Sequence, residues 1–245
     1  MTTTTGTDTP ASAARVPETG TLLGIWAHPD DEAFLSSALM ATARRRDDRV
    51  VVATATLGEQ GVQDPVRWPP DRLAAIREQE LRDSLALVGV VEHRLLGHRD
   101  GTLEEVPRQV GVAQVAALID EVRPDTIVTF GPEGMTGHSD HRTVSAWVGA
   151  AWTATGRRSA LWHATLTPAF HRTWGALNDT VGLWFEGARP PTTPTEDLVA
   201  QVVCDRDLVD LKYRALRAHA SQIDSLVGAL GEGRFRRWWA VESFA

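Results

Sequence analysis

The run Thr21-Leu-Leu-Gly-Ile-Trp-Ala27, followed at once by His28-Pro-Asp-Asp-Glu32, decides how this chain is read. Thr21 to Ala27 is short and apolar and ends at a residue that constrains the backbone, which predicts a buried parallel strand. Pro29 forces a turn and pushes His28 toward extended geometry, so His28 belongs to the strand side of the break. Asp30 and Asp31 fall where a helix begins, and the stretch to Arg46 places Phe34, Leu35, Ala38, Leu39 and Thr42 on one face. One imidazole and three carboxylates are thus gathered at a strand-to-helix junction, where open α/β sheets bind their ligands.

A second junction lies about a hundred residues on. Asp125-Thr-Ile-Val-Thr-Phe130 reads as another buried strand, and Gly131-Pro-Glu-Gly134 breaks it before His138-Ser-Asp-His141. Val144, Trp147, Val148 and Ala151 then recur at helical spacing, so His138 and His141 open a helix and share a face. On one sheet both junctions meet at the carboxyl edge. Catalytic zinc takes three protein ligands and keeps a fourth position for water, and His28, Asp31 and His141 form such a set. The structural alternative treats Asp30, Asp31 and Asp140 as helix caps and His28 as a strand-end residue. Capping accounts for Asp30 but does not call for three histidines at two strand ends.

The pattern resembles the PIG-L/LmbE-like family of zinc-dependent de-N-acetylases. The resemblance rests on AHPDDE at Ala27 to Glu32 and GHSDH at Gly137 to His141, in that order. Gly58-Glu-Gln-Gly61, Arg77-x-x-Glu80 followed by Val88-Gly-Val90, Gly97-His-Arg-Asp-Gly101 and Ala218-His-Ala-Ser-Gln222 agree with it. It implies that His28, Asp31 and His141 bind Zn2+, whose bound water is the nucleophile; Fe2+ or Mn2+ suits the same donors. In the same reading Asp30 is the general base, and a protonated His138, its pKa raised by nearby acids such as Asp140, faces the developing oxyanion. Asp140 joins the catalytic set by orienting a histidine. Glu59, Arg77 and Asp100 are assigned to substrate, and Arg77, Arg99 and Arg142 are candidates to grip an anionic aglycone. The implied reaction is hydrolysis of an N-acetyl or other N-acyl group from an amino sugar or its conjugate. The alternatives are an amidase acting on a thiol conjugate or antibiotic glycoside, and a catalytically silent metal-binding protein. Arg77 and Glu80 also read as a solvated helix pair.

The rest of the chain agrees with an enzyme of a Rossmann-like, doubly wound α/β class, with a mostly parallel sheet and helices on both faces. Strands are predicted at Val50 to Leu57, Glu92 to Leu96 and Leu161 to Leu166, and helices at Asp71 to Val88 and Gln109 to Val122. A long, breakable helix is expected over Asp205 to Leu230. Glu186 to Glu196 is a surface loop or a lid, and Trp68 sits in a Pro-rich loop over Val62 to Asp71. Residues 1 to 20, rich in Thr, Ala and Pro, read as a disordered tail rather than a signal peptide, ahead of a single domain over 21 to 245. In a chain of 245 residues with 42% hydrophobic content, one core is affordable. The single cysteine, Cys204, suits a reducing, cytoplasmic setting, and no run is long enough to span a membrane. A net charge of -7 argues against a nucleic-acid partner, leaving a small-molecule amino sugar; association into a homo-oligomer stays open.

Overall fold

The computed structural model describes residues 16–61, 66, 68–185 and 189–245. They form a seven-stranded sheet in the order β3-β2-β1-β4-β5-β7-β6. The strands are β1 (Leu22–Trp26), β2 (Val50–Thr54), β3 (Glu92–Leu95), β4 (Thr126–Phe130), β5 (Ala160–Thr165), β6 (Ala200–Val203) and β7 (Val241–Phe244). Strands β1 to β5 are parallel, with Leu22 opposite both Val50 and Thr126, whereas β7 runs antiparallel to β5 and β6. The predicted strands are all found. The antiparallel pair β6 and β7 has no counterpart in the sequence reading, because each is four residues long with a polar residue inside it.

Helices α1 (Asp31–Leu35), α2 (Ser37–Arg44) and α3 (Pro70–Leu87) connect β1 to β2 and β2 to β3. Helices α4 (Arg108–Val122) and α5 (Ser139–Ala154) lead the chain the other way, to β4 and β5. Right-handed crossovers in opposite directions place the two groups on opposite faces. Accordingly α4 packs on α5, while α2 and α3 pack on α7 (Arg206–Ala218). The direction reverses between β1 and β4, so the carboxyl ends of these two strands border the crevice.

Differences from the expected helices have local causes. The single helix expected after Pro29 is two, because Ser36 leaves helical geometry and its Oγ donates to the Glu32 carbonyl. The long C-terminal helix breaks at His219 into α7 and α8 (Ala220–Leu230). Helices α6 (Pro168–Val181) and α9 (Glu232–Trp238) complete the chain. Of the first twenty residues, 16 to 20 are described: Thr19 is buried and donates to Asp48, and Arg46 donates to the Val16 and Pro17 carbonyls. Residues 1–15 lie outside the described residues, as do 62–65 and 67 of the Pro-rich loop and 186–188 of the suspected lid. From Arg189 onward that segment pairs with Asp179 and bridges back to β5 through Thr165 and Thr193.

The antiparallel edge is anchored by a buried ion pair. Lys212 of α7, the chain's one lysine, donates to Glu242 of β7 at 2.5 Å and to the Phe34 carbonyl at 2.6 Å. The Glu242 carboxylate also accepts the Ala38 and Leu39 N–H groups, both at 2.8 Å, capping α2 from the far end of the chain. Removing one partner of such a pair leaves an uncompensated buried charge. Lys212→Met is therefore expected to cost about 3–5 kcal/mol in urea-induced unfolding. A loss below about 1 kcal/mol would show that Glu242 does not depend on it.

Candidate active site and metal centre

Four loops at the carboxyl edge converge on one cavity of about 490 Å³. The β1 loop brings His28, Asp30 and Asp31, and the start of α5 brings His138 and His141. The β2 and β3 loops bring Gln60, Gly61, Asp100 and Gly101. Arg77 of α3 and Gln222 of α8 close one side, and Phe34, Val181, Leu183, Phe185, Leu226 and Trp238 form an apolar wall. Apart from Phe34 of α1, that wall comes from α8, the end of α9 and the segment leaving α6, which no motif announced.

The three predicted ligands meet. His28 Nδ1 lies 3.1 Å from His141 Nε2, and the Asp31 carboxylate oxygens lie 3.7 Å from the first and 3.4 Å from the second. Tetrahedral coordination at about 2.0–2.1 Å from each donor spaces ligand atoms about 3.3 Å apart. Asp31 presents one oxygen to His28 and the other to His141, and nitrogens of His28, His138 and His141 all lie within 4.8 Å of one another, so imidazole and carboxylate donors of the kind a small divalent cation takes are gathered here. Each ring is also turned correctly: His141 Nδ1 bonds the Gly134 carbonyl at 2.9 Å, leaving Nε2 free, and burial keeps its pKa well below the ordinary histidine value. His28 Nε2 faces Asp100 at 3.0 Å and Asp140 at 3.2 Å. Burial opposes charging of His28, but these carboxylates and Asp31 outweigh it and push its pKa up to about 10. The surrounding carboxylates thus favour positive charge at His28. His28 also groups with Asp100 and Asp140 as three nearby donors. Those carboxylates, however, are already occupied by the N–H groups of Gln60, Gly101 and Leu103.

Asp140 does not cap α5 through its side chain, and it does not line the cavity. Fully buried, it accepts from Gly101 and Leu103 and stands behind His28, a place that suits orientation of a histidine and excludes contact with substrate. Glu59, expected at the substrate, is corrected: its carboxylate accepts the Asp100 N–H at 2.9 Å and faces a separate cleft beside Leu57 and Asp71. Asp100 does line the cavity, and contact with His28 drives its pKa down to about 2 against the effect of burial.

Asp30 takes φ 113°, ψ -27°, a left-handed conformation that costs a residue with a side chain on the order of 1–3 kcal/mol. Its side chain makes no cap bond and lines the cavity instead. Burial lifts its pKa to about 6, with Arg77 opposing. Arg77 donates to the Gly58 carbonyl at 2.7 Å, the Pro29 carbonyl at 2.5 Å and Asp30 at 3.2 Å. A Cβ at Gly58 or Gly61 would collide with this guanidinium, which explains both glycines of the loop. Arg77 and Glu80 are not a solvated pair, since Glu80 accepts from Ser221. Arg77 thus donates through Nη1 and Nη2 to internal acceptors while its buried Nε has no partner, and the exposed Arg99 and Arg142 do not line the cavity; of the three arginines expected to grip an anion, Arg77 alone lines it.

His138 is the N-cap of α5, its Nδ1 accepting the Asp140 N–H at 3.1 Å, which leaves Nε2 as the protonated nitrogen. Burial, reinforced by the charge on His28, lowers its pKa, and the effect of Asp140 does not compensate. Burial and His28 thus work against the protonated His138 expected from the sequence, and Nε2 is the nitrogen left free of the cap.

Comparison with known proteins agrees with this arrangement. The PIG-L family model, described as GlcNAc-PI de-N-acetylase, matches residues 23–152, which contain both histidine clusters. A 1D-myo-inositol 2-acetamido-2-deoxy-alpha-D-glucopyranoside deacetylase from Saccharomonospora viridis is 32% identical over 228 residues, covering 82% of this chain and 85% of its own. A probable N-acetyl-alpha-D-glucosaminyl L-malate deacetylase 2 from Bacillus subtilis is 30% identical, covering 86% of this chain and 87% of its own. The N,N'-diacetylchitobiose deacetylase from Pyrococcus horikoshii shares the fold at a TM-score of 0.61 and 22% identity, over 93% of this chain and 84% of that one. With a family model that spans more than half of its length and a relative alike over most of both chains, the chain belongs to the PIG-L family.

Proposed function

We propose that this protein is a metal-dependent hydrolase that removes the N-acetyl group from an amino sugar carrying an uncharged aglycone. The observation that carries this reading is the convergence of His28, Asp31 and His141 with a strained Asp30 and a donor-ready His138 on one cavity. Relatives named as deacetylases support the bond type. Zinc, the cation proposed for the three ligands, would supply Lewis acidity and a water made acidic at neutral pH. Asp30 takes the proton of the attacking water and returns it to the departing nitrogen. His138 donates its Nε2 proton as a hydrogen bond to the carbonyl oxygen as charge develops there, a role a neutral imidazole can fill. Asp100 and Asp140 hold His28 so that Nδ1 faces the cation.

The aglycone follows from the cavity. Arg77 is the only Arg or Lys side chain lining it among the described residues; its Nη1 and Nη2 groups donate to Gly58, Pro29 and Asp30, while its buried Nε has no partner. An anionic aglycone would meet the carboxylates of Asp30, Asp31 and Asp100 beside a single guanidinium already paired with Asp30, whereas Phe185, Leu226 and Trp238 offer apolar contact. We read residues 21 to 245 as one catalytic unit working in the cytoplasm. The described residues contain no helix long and apolar enough to cross a membrane, and burial pushes the Cys204 thiol up to about 12, which leaves it inert.

Elemental analysis is expected to find one divalent metal per chain, and chelation should abolish amine release until metal is restored. His28→Ala should lose both metal and turnover; activity that survives complete metal removal would overturn the reading. Asp30→Asn should keep the metal while kcat falls by roughly 10²–10⁴-fold. His138→Ala should likewise keep it and lose roughly 10²–10³-fold. Across a panel of N-acetylglucosaminides, kcat/KM is expected to favour neutral aglycones over phosphate or carboxylate-bearing ones, and the reverse order would remove the uncharged-aglycone assignment.

A further inference from the structure

Two buried ionisable groups take no part in the chemistry above. Glu32 ends the AHPDDE stretch, is 0% exposed and does not line the cavity. His219, also 0% exposed, lies 187 residues further on, where α7 breaks into α8. Its Nε2 stands 3.0 Å from Glu32 Oε1, while the other oxygen, Oε2, accepts the backbone N–H of Asp30 at 3.0 Å.

That N–H belongs to the residue held at φ 113°. A peptide in this region relaxes unless its surroundings over-determine it. Arg77 grips one side, through the Pro29 carbonyl and the Asp30 carboxylate, and Glu32 grips the other, through the Asp30 N–H. A carboxylate buried to this depth keeps its charge and direction only with a partner. Burial would strip the proton from His219, but the Glu32 carboxylate reverses this and raises its pKa above the ordinary value. The ionisable groups facing His219 are Asp30 and Arg77, and those facing Glu32 include Asp30, Asp31 and His93.

We propose that Glu32 and His219 are a positioning pair whose hydrogen bond to the Asp30 peptide holds the Asp30 carboxylate at the reacting atoms. This gives the Ala218 to Gln222 segment, distant from both main motifs, a task in the reaction. The same short turn brings Gln222 into the cavity wall and ties Ser221 to Glu80. The inference rests on the reading of Asp30 as the proton-transfer group.

A pair that served stability alone would tolerate an apolar replacement, since buried ion pairs exchanged for apolar residues of like volume often leave a fold intact. The test compares metal-loaded Glu32→Met/His219→Leu with the wild type on the best neutral N-acetylglucosaminide, reading kcat, KM, metal content and a crystal structure. The expected result is one metal per chain, KM within about threefold and kcat down roughly 10²-fold, the loss that a misplacement of about 1 Å can produce. In the crystal Asp30 should leave the positive-φ region. Glu32→Gln, whose amide oxygen can still accept the Asp30 N–H, should recover most of the lost kcat. Should the double variant fail to fold, Glu32→Met alone carries the comparison, since a neutral buried His219 is tolerable. Wild-type kcat within about twofold, with Asp30 still left-handed, would overturn the proposal. If the wild type released no amine from any glycoside, the deacetylase reading would fail instead, and the Asp30 backbone in the variant crystal would still decide the pairing.

Discussion

The carboxyl edge of the sheet depends on one buried carboxylate. Asp140 accepts from Leu103 at 3.1 Å and from Gly101 at 2.8 Å, and stands 3.2 Å from His28 Nε2. It joins the loop after β3, the end of β1 and the first turn of α5. A charge so deeply buried is tolerable because each oxygen meets a donor. In return it removes the rotational freedom of His28, and Nδ1 must face His141. Asp100 repeats the arrangement one layer out, with Glu59 fixing its backbone. The cavity is therefore shaped in part by Asp140 and Glu59, which do not line it.

Much of this was legible in the sequence where the chemistry is local. Strands β1 and β4 are apolar runs, each ending in a break, and the residues that meet in space lie within a few positions of those breaks. His28 and Asp31 share one turn, and His138 and His141 share one helix face, so spacing alone places them together. Topology supplies the rest, because a doubly wound sheet brings the ends of β1 and β4 side by side.

What the sequence did not disclose depends on partners far away along the chain. Glu59 and Asp100 are both acidic residues in glycine-bounded loops; only the packing shows that one faces the cavity and the other supports it. The lowered pKa of His138 follows first from its burial and then from His28, a residue at the end of another strand. Strand β7 reads as surface because it contains Glu242, and its burial is intelligible only once Lys212 is beside it. Beyond Phe34 of α1, the apolar wall is assembled from α8, the end of α9 and the segment leaving α6, none of which has a distinctive residue pattern.

Lys212 also has a consequence for the chemistry of the surface. Its amine is buried and hydrogen-bonded, and every other basic side chain apart from histidine is an arginine. The folded protein therefore presents no lysine to acylating reagents. Acylation of Lys212 becomes possible only when α7 separates from β7. The rate at which that single side chain is labelled would report the opening of the antiparallel edge, residue by name, without any engineered probe.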